Sequence, residues 1–127
     1  MNVELKNRIK AHILEEPKRL DIHNWFTSLR HVRPEQRPSC GTIGCFAGWA
    51  HILAGGSKHD VVNVFSFARE LQIDYSLADK ACFLNSWPKK FLVMWNAAKS
   101  AKQRARVAGM VLDALESPQL WERREQT

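Results

Sequence analysis

The chain has 127 residues, a length that fits one domain built around a single hydrophobic core. Hydrophobic residues make up 45% and charged residues 25%, the balance of a globular protein rather than a disordered or fibrous one. The net charge is +6, and the longest apolar run, Ile43 to Ala54, is interrupted by His51 and falls short of a bilayer span, so no membrane association is expected.

In chain order, Val3, Leu5, Ile9, Ile13 and Leu14 recur near helical spacing, and Pro17 stops that first helix. Asp21 is placed to cap a short second helix through Leu29 that buries Trp25, Phe26 and Leu29. A loop follows over residues 31–38, where Pro34 and Pro38 forbid regular structure. The next helix is expected from Thr42 until Gly55-Gly56 ends it. Three later starts carry a capping-box-like pattern, in which a serine oxygen accepts from a free amide while the residue three on reaches back. Ser57 to Asp60 precedes the apolar run Val61 to Leu71, and Ser76 to Asp79 opens a segment reaching about Leu84. Ser100 to Gln103 opens the longest helix, ending near Glu116. Between them, Trp87-Pro88 marks a turn with proline at the start of a helix through Ala98. No period-two alternation or Asn-Gly turn points to a hairpin. The expectation is an all-α, compact single-domain bundle of about six or seven short helices covering residues 1–127. Residues 117–127 would form a short terminal helix or a tail.

The segment Ser39 to His51, SCGTIGCFAGWAH, has the look of an active site. Three readings compete. As a thiol enzyme, Cys40 would lie just before a helix N-terminus, whose free amides favour thiolate, and Cys45 is the other candidate nucleophile. The spacing departs from the Cys-Gly-x-Cys-Trp neighbourhood of papain-like proteases, and the chain supplies no sheet to deliver a histidine and its orienting partner. As a metal site, Cys40 and Cys45 would stand about 140° apart around a helix, and Cys45 and His51 are also misaligned. Cys82, inside Ala81-Cys82-Phe83-Leu84, has the setting of a small buried hydrophobe. As a packing element, Gly44 and Gly48 share a helix face that a neighbouring helix could approach closely, with Trp49 and Phe46 supplying volume. Interior helix glycines cost about 1 kcal/mol each relative to alanine, so two of them call for a packing reason. The packing reading accounts for most of these letters. It makes Cys40, Gly41, Thr42, Gly44, Cys45, Gly48 and Trp49 a structural core motif, with Gly41-Thr42 as the entry turn and Thr42 or Ser39 as its cap. No catalytic residue, metal or cofactor is expected. An odd count of three cysteines suits a reducing compartment, and Met1 to Lys6 lacks the layout of a leader, so the expected location is the cytoplasm.

The pattern Cys40-Gly41-Thr42-x-x-Cys45-x-Ala47-Gly48-Trp49-Ala50, followed by Leu84 and Trp87-Pro88, resembles a group of short, uncharacterised bacterial and phage proteins. Those proteins carry a CGTxxCxAGxA segment, then a Trp-Pro turn and a terminal helix. The resemblance spans roughly residues 10–112 and implies a prokaryotic or phage origin, with no activity to carry over.

Two electrostatic features remain. Phe67 to Ala81 imitates a helix-turn-helix, but its second helix would present Leu77, Ala78, Ala81, Cys82 and an acid, Asp79, where base-reading side chains belong. Residues 80–112 hold seven Lys/Arg and no acid, so this one segment carries more than the whole net charge. Within it Ala101, Ala105, Ala108, Leu112 and Leu115 mark a buried stripe. Lys102 and Arg106 lie opposite that stripe, Arg104 flanks it, and Lys99 sits just before the helix. The expected contact surface is Lys89, Lys90, Lys99, Lys102 and Arg106 with Trp121, an aromatic near a polar terminus. The expected function is a non-catalytic binding or regulatory module, such as an inhibitor or adaptor of phage or mobile-element type, acting on a macromolecule. A protein partner is favoured over non-specific nucleic-acid binding, and a thiol enzyme is the third class.

Overall fold

A computed structural model describes residues 1–122; the last part of the expected terminal helix or tail, residues 123–127, lies outside the described residues. Among the described residues six α-helices occur in chain order: α1 (Val3–Glu15), α2 (Phe46–Leu53), α3 (Val64–Leu71), α4 (Tyr75–Cys82), α5 (Lys89–Ala97) and α6 (Ala101–Ala114). Among the described residues there is no β-strand, and the helices form one compact all-α bundle. Along the chain each helix packs on its neighbour from α2 to α4. The fold closes through α1, which lies against α2, α3 and α6, while α5 packs against α6.

The first helix follows from its pattern. Leu5, Ile9 and Ile13 are buried, and Asn2 caps the start by accepting from the Leu5 amide. Lys6 is buried as well, with its ammonium 2.7 Å from Asp113 and 2.6 Å from Glu116. Burying that ammonium is tolerable because two carboxylates at the end of α6 meet it. The contact ties the first helix to the last.

The expected helix over Asp21–Leu29 does not form. The Asp21 carboxylate accepts from the His23 amide, the Asn24 side chain and the Thr27 hydroxyl, a local network that competes with helical bonding. The main chain instead runs irregularly against residues 43–45. Asp21 N donates to Gly44 O at 2.9 Å, Thr27 N to Ile43 O at 2.8 Å, and Cys45 N to Asn24 O at 3.0 Å. Gly44 forms isolated bridges with Leu20 and Phe26. Trp25, Phe26 and Leu29 are half-buried, and Ile22 is the buried residue of this stretch.

Helix starts are shifted elsewhere for similar reasons. The Ser57 turn exists, since Asp60 accepts from the Ser57 amide, but Asp60 also binds His51 and the chain stays non-helical through Asn63. Asn63 then makes a full capping box with Ser66 and α3 begins. Asp74, not Ser76, caps α4. Pro88 stands at the cap of α5 rather than inside it. Ser100 caps α6 as expected, accepting from Gln103 N at 3.1 Å, while the Gln103 side chain reaches the Lys99 amide. Ala101 is exposed, so the buried stripe of α6 starts at Ala105.

Candidate functional site

The charged surface is built on the α5–α6 hairpin. α5 buries only Phe91, which makes it an outer helix; α6 buries Ala105, Val107, Ala108, Gly109, Val111, Leu112 and Ala114 and packs against both α1 and α5. Lys89, Lys90, Lys99, Lys102 and Arg106 are all exposed, and none forms an ion pair among the described residues. Lys90 lies over the Phe91 ring at 5.1 Å. Lys89 and Lys90 start α5, whereas Lys99 and Lys102 lie at the other end of the hairpin. The nine residues of α5 separate the two groups by about 12 Å at 1.5 Å per residue. Thus the basic residues occupy one hairpin in two clusters rather than a single patch.

Between the clusters lie apolar side chains that the sequence pattern did not single out. Val93 is 57% exposed, Met94 39% and Met110 42%. Lys102, Arg106 and Met110 follow one another at intervals of four along α6, and Lys89-Val93 and Lys90-Met94 do so along α5, so each set shares a helix face. In sequence, Val93 and Met94 read equally well as core. Only the sparse burial of α5 places them outside.

Trp121 is not part of this surface. It is 4% exposed, and its indole N–H donates to Ala114 O at 3.0 Å. A 3₁₀ turn over Pro118–Trp121 folds the chain back on the end of α6, where Ala114 O accepts both from the indole and from the Ser117 amide. Its burial is a core role, and this corrects its assignment to the contact surface.

In the glycine-cysteine segment the helix starts later than expected, at Phe46, with Cys45 at the cap position. Gly44 therefore precedes the helix, and the two glycines do not make one helical face. They still share a neighbour. A Cβ on Gly44 would come within 2.6 Å of the Trp25 carbonyl oxygen, and one on Gly48 within 2.2 Å. The close approach is made by the irregular Trp25–Phe26 backbone, not by another helix. Gly41 has φ +72°, a left-handed conformation that suits the entry turn, and its amide donates to Pro38 O. Neither Thr42 nor Ser39 caps the helix, and Ser39 instead binds Glu16 through its amide and hydroxyl. Trp49 is 2% exposed and donates to Arg19 O at 2.8 Å.

Cys40 is exposed and lies well ahead of α2, so it gains nothing from that helix N-terminus; its thiol points to Thr42 O at 3.5 Å. Cys45 occupies the helix cap but is buried, and burial pushes its thiol pKa up, opposite to what a nucleophilic thiolate needs. Burial raises the Cys82 thiol pKa in the same way. Among the described residues no group of three or more His, Cys, Asp and Glu is arranged to hold a metal ion. No described helix is long and apolar enough to cross a membrane.

One polar cluster was missed in the sequence. His51 Nε2 lies 2.8 Å from Asp60 and Nδ1 2.8 Å from Glu70, so the imidazole bridges two carboxylates. Serving both requires protons on both nitrogens. The contacts, Asp60 first, hold the His51 pKa above its ordinary value, and fasten α2, α3 and the loop between them. No local spacing signal joins residues nine and nineteen apart.

No protein-family model, curated protein or solved structure matches this chain.

Proposed function

We propose that the protein is a non-catalytic helical binding module that docks an acidic surface of another protein through the outer face of the α5–α6 hairpin. The carrying observation is that exposed Lys89 and Lys90, without an ion pair among the described residues, share faces of α5 with exposed Val93 and Met94, as Lys102 and Arg106 share a face of α6 with exposed Met110. Unpaired cations steer an acidic partner and set the salt dependence of association. The apolar side chains add area whose burial rewards a protein partner, which a phosphate backbone does not do. Such a module fits a regulator, inhibitor or adaptor of phage or mobile-element type; the Cys40–Ala50 resemblance supports only the prokaryotic or phage origin in that reading.

Fluorescence titrations against an acidic amphipathic peptide and against an oligonucleotide, each at rising salt, test this reading. The expected result is tighter binding to the peptide, weakened by Met94→Ser as well as by Lys102→Glu. Preferential oligonucleotide binding with a linear log–log salt slope, indifferent to Met94→Ser, would favour a phosphate-tracking surface instead.

A further inference from the structure

A separate cleft of about 390 Å³ opens between the irregular segment 17–43 and the start of α6. Leu20, Ile22, Val32 and Ile43 form apolar walls, and Trp95 and Arg104 close the side made by the hairpin. The volume lies within the range of small-ligand pockets.

Its polar groups are unbalanced toward donors. The indole N–H groups of Trp49, Trp87 and Trp121 each donate to a backbone carbonyl, at 2.8, 3.0 and 3.0 Å. That of Trp95 has no such partner among the described residues, although its ring is half-buried against Trp87 at 5.3 Å. The half-buried Arg104 guanidinium likewise forms no ion pair or side-chain hydrogen bond among the described residues. Lys18 also lines the cleft and spends one hydrogen on Glu35 O. The one carboxylate there, Asp21, is occupied: Oδ1 accepts from His23 N, and Oδ2 from Asn24 and Thr27. It forms no ion pair with Arg104, and its charge disfavours a ligand anion on its own side of the cleft.

We infer that this cleft binds a carboxylate carried on an apolar body, with the carboxylate on Arg104 and the Trp95 N–H and the body against Leu20, Val32 and Ile43. A guanidinium presents paired donors matched to a carboxylate. An apolar body removes from water the half-buried Leu20 and Val32 side chains. Such a group can come from a free organic acid or from the C-terminus of a peptide ending in a large apolar residue. The site stands apart from the outer hairpin face and does not depend on what that face binds.

The test is a titration of the full-length protein followed by ¹H–¹⁵N spectra, in which Trp95 Nε1–H reports directly. Three probes are compared: 3-phenylpropionate, its amide, and a pentapeptide ending in leucine with a free carboxylate. We expect the Trp95 indole and Ala101 amide signals to move with the acid or the peptide at up to about 10 mM, and not with the amide. Arg104→Gln, at a half-buried position outside the fully buried stripe of α6, should weaken binding by about 10- to 100-fold with the spectrum otherwise unchanged. Tighter binding of the peptide than of the acid assigns the source to a chain terminus, and the reverse order assigns it to a free acid. Unmoved Trp95 signals with both probes, equal shifts from the amide, or full binding by Arg104→Gln would each overturn the inference.

Discussion

Replacing Gly48 by alanine places one methyl group where the fold has no room for it. The added Cβ would stand 2.2 Å from the Trp25 carbonyl oxygen and 3.0 Å from the Phe26 ring. Ordinary contact needs roughly 3.4 Å or more, so the carbonyl must retreat by about 1 Å. That carbonyl is main chain, and its segment is fastened on both sides by Asp21 N to Gly44 O and Thr27 N to Ile43 O. Overpacking costs about 1–3 kcal/mol, and a fixed backbone neighbour puts this site at the upper end. The substitution also removes an interior helix glycine, which returns about 1 kcal/mol. The expected net loss is about 1–2 kcal/mol. For a chain of this length the unfolding entropy is about 0.27 kcal/mol/K, so the midpoint should fall by about 4–8 °C. Gly109→Ala is the matched control inside α6. Its Cβ would meet the Lys10 side chain, at 3.2 and 3.3 Å, and that flexible chain needs to give by only a few tenths of an ångström while its ammonium stays on Asp113. Gly109→Ala should therefore raise the midpoint by up to about 4 °C. Thermal melts followed by circular dichroism measure both. Gly48→Ala melting at or above the parent, or both variants moving the same way, would refute the packing reason given for Gly48.

The histidines should act in opposite directions with pH. The His51 pKa is raised, chiefly by Asp60, so its stabilisation is complete below the ordinary value of 6.5 and is lost as pH rises through its folded value. The stability gap between the parent and His51→Gln should shrink from pH 6 to pH 9, and a gap that widens would contradict this. Burial lowers the His12 pKa, so below pH 6.5 the unfolded chain takes up a proton that the folded one resists. His12→Gln should soften the stability loss toward pH 5, as measured by denaturant titrations at each pH. A thiol reagent should label Cys40 promptly and Cys45 and Cys82 only on unfolding, which mass spectrometry of timed samples reads directly. Trp121→Ala should cost about 3–5 kcal/mol, because it empties a buried site and removes the indole hydrogen bond to Ala114 O. A variant that melts like the parent would return Trp121 to the surface.

How far the fold can be read from sequence depends on where each segment finds its partners. α1 and α6 are legible because periodic apolar residues and a capping side chain lie within the segment itself, as Ile9 and Ile13, or Ser100 and Leu112, do. Residues 20–45 are not, because Asp21 spends its carboxylate on a local turn and the backbone bonds to residues twenty further along. A helical reading of Trp25 and Phe26 has no means of foreseeing that partner. The same limit applies to the site. The excess of cations over 80–112 is plain in the letters, whereas the exposure of Val93 and Met94 is visible only in the fold, where no described helix covers the outside of α5. The small side chains at Gly44 and Gly48 announced a close approach, but only the fold shows a carbonyl rather than a helix making it.

The central claim is that the α5–α6 face is a working contact, and affinity capture by the parent and by a Lys102→Glu/Arg106→Glu variant tests it most directly. Both side chains are exposed and lie off the buried stripe, so the variant should melt within about 0.5 kcal/mol of the parent in stability. Captures from nuclease-treated extract of the native host, at about 0.1 M and about 0.5 M salt, are compared by quantitative mass spectrometry. The expected result is an acidic protein retained by the parent at low salt, released at high salt and absent from the folded variant. Equal retention by parent and variant would contradict the claim and leave the basic hairpin as a solvated surface.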